Sequence, residues 1–186
     1  AIPNMRVISP CDAEETRLAV RYILETPGPF YLRLGRLAVE TVYGEGECPF
    51  AFGKGIQLRD GTDLTIVSTG LMVQESLKAV EILKEKGISA RMIDIHTIKP
   101  IDRDILAKAS RETGLIVTAE EHTVYGGLGG AVAEAIAQTH PCRMAMVGVQ
   151  DRFGKSGKPA DVLAEYGLTA ENIATAAERL FAAKKD

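Results

Sequence analysis

Apolar residues recur along this chain in two alternating rhythms. Short runs suit strands: MRVI (5–8), FYLRL (30–34), residues 56–58 and 64–67, then 88–95, 114–119 and 143–149. Between them the apolar positions take helical spacing. Leu18, Val20, Tyr22, Ile23 and Leu24 give the buried side of a helix that runs to about Thr26. Val73, Leu77, Val80 and Leu83 predict a second helix over 71–86, with Gly87 at its end. Further helices are expected at 102–112, 127–139, near 159–165 and at 170–183, with Asp102 and Thr169 as caps. The first helix is expected to open on Ser9-Pro10, with Asp12, Glu14 and Glu15 placing negative charge in its first turn. Strands alternating with helices predict a parallel sheet with right-handed crossovers. Asp60-Gly61 reads as a hairpin turn that adds one antiparallel edge strand. The expectation is a three-layer α/β/α domain of about five strands.

The rhythm also divides the chain. Residues 1–36 make one strand-helix-strand unit, too small to bury both faces of its own sheet. They are expected to be the end of a larger α/β domain, the rest of whose sheet comes from elsewhere. Residues 37–52, with Gly44, Gly46 and Pro49, read as an inter-domain connector that packs on a surface through Val39, Val42, Phe50 and Phe52. Residues 53–186 form the second domain.

Composition narrows the function classes. The 186 residues are 46% hydrophobic and 25% charged, with a net charge of −3. No basic surplus points to nucleic acid or an acidic membrane face. No apolar run approaches the ~18 residues of a membrane span. Cys11, Cys48 and Cys142 are far apart and form no C-x-x-C, which argues against a disulfide framework or zinc site and fits a cytoplasmic location.

Three features carry candidate chemistry. Arg36 follows an apolar strand and a glycine, near the carboxyl end of a strand, where ligands gather in α/β sheets. Its guanidinium suits phosphate oxygens; the alternative is an ion pair with a nearby carboxylate. EEHTVYGGLGG (120–130) puts Glu120, Glu121 and His122 at a strand end, with glycines leading into a helix. That turn could cradle an anion, or could simply permit close helix-to-sheet packing. His96, His122 and His140 are too widely spaced to read as one metal site.

Four stretches, IPNMRVISPCDAEE (2–15), RLGR (33–36), MIDIHTIKPID (92–102) and VTAEEHTVYGGLGG (117–130), resemble in type and order the end of a transketolase. The resemblance covers essentially the whole chain and implies the transketolase C-terminal-domain fold, preceded by the end of the pyrimidine-binding domain. It implies two-carbon ketol transfer between sugar phosphates, with thiamine diphosphate and magnesium in the complete enzyme. Arg36 takes the position that holds the substrate phosphate. The metal-binding Gly-Asp-Gly motif, the activating glutamate and the Gly-Glu-Asp-Gly-Pro-Thr-His run of the family lie outside these residues. No catalytic, cofactor-binding or metal residue is therefore expected on this chain, which alone should be inactive. Implied partners are an N-terminal transketolase section or subunit, and a second copy through the C-terminal domain, with a large apolar face on 53–186. The alternatives are the corresponding part of a 2-oxo acid dehydrogenase β subunit or deoxyxylulose phosphate synthase, and a non-catalytic α/β interaction domain.

Overall fold

The computed structural model describes residues 1–184; the last two residues of the expected second domain lie outside them. The chain begins with β1 (Arg6–Ile8), α1 (Ala13–Glu25) and β2 (Phe30–Leu32). After residues 33–55, which hold no helix or strand, come β3 (Ile56–Arg59), β4 (Leu64–Ser68), α2 (Met72–Glu85), β5 (Ala90–Asp94) and β6 (Thr97–Lys99). Then follow α3 (Arg103–Thr113), β7 (Leu115–Thr123), α4 (Leu128–Ala137), β8 (Arg143–Val149), α5 (Pro159–Glu165) and α6 (Ala170–Ala182).

Helix α1 opens on Asp12, not on Ser9-Pro10. The Asp12 carboxylate accepts the Glu15 N–H, while Ser9 is committed elsewhere. Its N–H donates to the His96 carbonyl, and its carbonyl accepts from Gly70 N and the Thr69 hydroxyl. Pairing with residues 69, 70 and 96 thus outcompetes a local cap at that point. Asp102 and Thr169 do cap α3 and α6 as expected.

The large sheet has the order β3-β5-β4-β7-β8. All neighbours are parallel except β3, which runs antiparallel to β5 at one edge. The antiparallel edge strand is as expected, but the Asp60-Gly61 hairpin is not. Strand β5 lies between β3 and β4, so the two do not pair. Gly61 is required by close approach: a Cβ there would lie 2.1 Å from Arg91 N and 2.2 Å from the Ala90 carbonyl carbon. The turn is instead held by Thr62 N and Asp63 N, which both donate to the Ser89 carbonyl.

Two helical layers cover this sheet. The period of two along the strands sends Leu64, Ile66, Met92, Leu115 and Val117 to one face, where they meet residues of α2 and α6 such as Leu83 and Ile173. Val67, Ile93 and Ile116 turn to the other face, against Leu106 of α3 and Val132 of α4. These side chains are fully buried, which fits sheets covered by crossover helices on both sides.

The small sheet has the order β2-β1-β6. Strands β1 and β2 are parallel, and β6 joins antiparallel. Strand β1 thus gains a second neighbour from residues 97–99, a strand too short to stand out in the sequence. The chain passes from β5 in the large sheet to β6 in the small one within residues 94–97.

Among the large apolar side chains that stand exposed, Ile2, Val20, Leu24, Tyr31, Leu34 and Val39 lie in the first 39 residues, and Tyr125 and Phe153 lie further along. No helix of the described residues is long and apolar enough to cross a membrane.

Candidate functional site

Strand β4 has β5 on one side and β7 on the other, and the helices that follow β4 and β7 lie on opposite faces of the sheet. The loops leaving their carboxyl ends diverge and leave a crevice, the usual ligand position in such sheets. A cleft of about 670 Å³ opens there. Thr69 lines it from the end of β4, Glu120 and His122 from the end of β7, Tyr31 from β2, and Ser9 and Arg33 from just beyond β1 and β2. A second cleft of about 610 Å³ lies beside it, lined by residues 10–13 and by Leu34, Gly35 and Leu37. Glu121 borders both.

Arg36 sits four residues beyond the end of β2, in an exposed bend. It lines neither cleft and has no hydrogen bond or ion pair among the described residues. The expected alternative, an ion pair at a strand end, is not made. Its neighbour in the motif behaves differently. Arg33 donates its backbone N–H to the Ile8 carbonyl at 2.8 Å, continuing the pairing of β1 and β2. Its Nη2 donates to the Glu121 carbonyl at 2.6 Å, across to the end of β7.

The glycine-rich turn is built for packing. Glu120 is 1% exposed, and its carboxylate accepts the N–H groups of Leu128 and Gly129 at 2.7 and 2.8 Å. The protein's own carboxylate therefore takes the anion position at the start of α4. Burial raises the Glu120 pKa, and those two N–H groups oppose the rise. A Cβ on Gly127 would lie 1.9 Å from Glu120 Oε2, and one on Gly129 would lie 2.8 Å from Met146 Sδ. His122 Nδ1 hydrogen-bonds to the Thr123 carbonyl at 2.8 Å and stands 4.0 Å from Glu120 Oε2.

The three histidines stay apart. His96 is fully buried, stacks on Phe50 at 4.4 Å, and bonds the Thr97 hydroxyl at 2.8 Å. Burial pushes its pKa down to about 4, so it is neutral at neutral pH. His140 rests on Ser110.

One cluster was not legible in advance. Glu15 of α1, Cys11 before it and Asp94 of β5 bring their ligand atoms within 4.8 Å of one another, all buried. The Tyr43 hydroxyl donates to Asp94 Oδ2 at 2.9 Å, and Cys11 N donates to Glu15 Oε2 at 2.7 Å. Glu15 Oε1 and Asp94 Oδ1 are buried and make no hydrogen bond among the described residues, an arrangement that favours keeping a proton on the pair of carboxyls. Burial raises both pKa values, and the Asp94 charge raises Glu15 further. Burial likewise pushes up the Cys11 thiol and the Tyr43 hydroxyl, and both stay neutral. The available signal was an aspartate inside an apolar strand, MIDIH, and a glutamate on the inner side of α1.

Comparison with known proteins follows the same outline. The model of the transketolase C-terminal domain matches residues 53–173. A protein of Methanocaldococcus jannaschii named "Putative transketolase C-terminal section" is 48% identical over 176 residues, covering 94% of this chain and 55% of that protein. One of the subunits of an apulose-4-phosphate transketolase of Phocaeicola vulgatus is 42% identical over 171 residues, covering 92% of this chain and 54% of that protein. Further matches include 1-deoxy-D-xylulose-5-phosphate synthases. A solved structure described as "Split gene transketolase, inactive beta4 tetramer" superposes with a TM-score of 0.94 at 43% identity, over 98% of this chain and 59% of that one. The chain spans about half the length of these two curated relatives.

Proposed function

Since the chain belongs to the transketolase family through its C-terminal domain, we propose that it is the C-terminal part of a transketolase that moves a two-carbon ketol unit between sugar phosphates. The observation that carries this is Arg36, a guanidinium unpaired among the described residues, on an exposed strand-end bend. Its five fixed donors suit a phosphate, and it gives up no internal partner to bind one. The protein of Phocaeicola vulgatus is named for a phosphorylated sugar, which supports a phosphorylated substrate.

Members of the family use thiamine diphosphate, which supplies the carbanion-stabilising chemistry when bound. The glycine-rich turn does not fit that group, because Glu120 occupies two of the N–H donors a diphosphate would need and places a carboxylate there. The cofactor and its magnesium are assigned to the other section of the enzyme. What this chain contributes is the arginine and a surface for association.

We divide it into the end of the pyrimidine-binding domain (1–36), a connector (37–52) and the C-terminal domain (53–186). The partner is an N-terminal section or subunit in the cytoplasm. The exposed Tyr31, Leu34 and Val39 beside the open edge of β2 suit that contact. Self-association through the C-terminal domain accords with the description of the solved relative as a tetramer, and "inactive" accords with the need for another subunit.

The test is a ketol-transfer assay on the complete enzyme with thiamine diphosphate and magnesium, using xylulose 5-phosphate and ribose 5-phosphate. Arg36→Ala should raise KM for both sugar phosphates by about tenfold to a hundredfold, the range for losing one charged hydrogen-bonding partner. An unchanged KM returns Arg36 to the solvent. No transfer from any sugar phosphate points to 2-oxo acid substrates or to a non-catalytic role.

A further inference from the structure

Arg36 is well placed only if its loop is held, and the loop is held at its ends. Among the described residues, no hydrogen bond reaches the backbone of residues 34–39. On the far side, the Glu40 carbonyl accepts from Gln74 Nε2 of α2, and Val42 N and Tyr43 N both donate to Asp12 Oδ2. On the near side, everything converges on Arg33. Its backbone N–H closes the small sheet onto Ile8, and its guanidinium reaches the Glu121 carbonyl at the end of β7. Glu120, next to Glu121, is fixed by the start of α4. The near anchor is therefore a side chain of the first unit seated on a rigid strand end of the large sheet.

We infer that Arg33 is a positioning residue for Arg36: its bond to the Glu121 carbonyl fixes the 34–39 loop and makes the C-terminal domain part of the phosphate site. The inference rests on the reading of Arg36 as the phosphate contact. Two observations separate the roles of the two arginines. Arg33 is half-buried and spends a charged donor on a main-chain carbonyl, whereas Arg36 is exposed and makes no bond among the described residues. A charged donor on a carbonyl is one of the stronger neutral-partner bonds, and it is directional. Small displacements of a substrate-positioning group cost rate or affinity out of proportion to their size. Lysine in place of Arg33 keeps the charge but offers a shorter, single-point donor.

The experiment uses the complete enzyme and compares Arg33→Met, Arg33→Lys and Arg36→Ala with wild type. Methionine keeps the apolar stem and deletes the fork. The first readout is KM for ribose 5-phosphate against glycolaldehyde, an acceptor with no phosphate. Arg33→Met should raise KM for ribose 5-phosphate by about tenfold more than KM for glycolaldehyde, and Arg33→Lys should recover part of the loss. The second readout needs no turnover: thermolysin should cut before Leu34, Leu37 or Val39 about tenfold faster in Arg33→Met than in wild type or Arg36→Ala. Equal cleavage rates overturn the latch whatever the kinetics show, as does an equal loss on both acceptors. Faster cleavage in Arg33→Met together with phosphate-independent behaviour of Arg36→Ala keeps the anchor but removes its purpose, and overturns the reading of Arg36 itself. Where Arg33→Met fails to fold, Arg33→Lys supplies both readouts.

Discussion

Glu15 shows how one side chain can hold two parts of a protein together and still cost stability. Its carboxyl lies on α1, faces Asp94 on β5, and is fully buried. Burial, with the Asp94 charge beside it, pushes its pKa well above the usual carboxylate range, so the folded chain keeps a proton that the unfolded chain releases. Above the ordinary carboxylate pKa the folded state therefore binds more protons than the unfolded one, and stability falls as pH rises until the folded-state carboxyl also ionises. Glu15→Gln removes the titration while leaving an oxygen for Cys11 N and giving Asp94 an amide donor. Its melting temperature should exceed wild type at pH 9 and converge on it near pH 5. Each kcal/mol of difference is worth about 2–4 °C for a chain of this size. A gap that does not narrow on acidification would show that Glu15 keeps no extra proton in the folded chain. None of this could be read from the sequence. Glu15 was expected to charge the first turn of α1, and only the fold reveals that it faces inward onto another carboxyl.

At the scale of elements, patterning located nearly every helix and strand, because strands covered on both faces and helices covered on one leave strong periodic signals. Pairing was less legible. Asp60-Gly61 has the composition of a hairpin turn, yet the glycine serves a different need. A Cβ on residue 61 would press into the backbone at the start of β5, which has no flexible side chain to yield. Gly61→Ala should therefore destabilise by about 1–3 kcal/mol, as overpacking does elsewhere, measurable by urea unfolding. A hairpin glycine replaced in open solvent would cost less and would leave β3 undisturbed. Strand β6 escaped notice for the opposite reason: three residues give too little pattern to separate a strand from a loop. Within the candidate site, Arg36 stood out in the sequence by motif and position. Arg33, three residues earlier, did not, since its role depends on where the Glu121 carbonyl lies in space.

For the whole molecule, the two sheets predict a gradient of protection. Strands β4, β5 and β7 are central and buried under two helical layers, while β2 is a half-exposed edge. Amide exchange of this chain should be slowest in β4, β5 and β7 and faster by orders of magnitude in β2 and in residues 150–158. Binding of the proposed N-terminal partner section should slow exchange in β2 selectively, and uniform slowing would argue against that edge as the contact. The passage from β5 to β6 within a few residues has a consequence for how such a protein can be rearranged. A recombination breakpoint in residues 37–52 looks safe in one dimension, because no helix or strand lies there. In three dimensions it would pair β1 of one parent with β6 of the other. Chimaeras that exchange the segment after residue 52 should therefore inherit a mismatched small sheet unless residues 1–36 travel with it. The heritable unit is larger than the domain that family matching outlines.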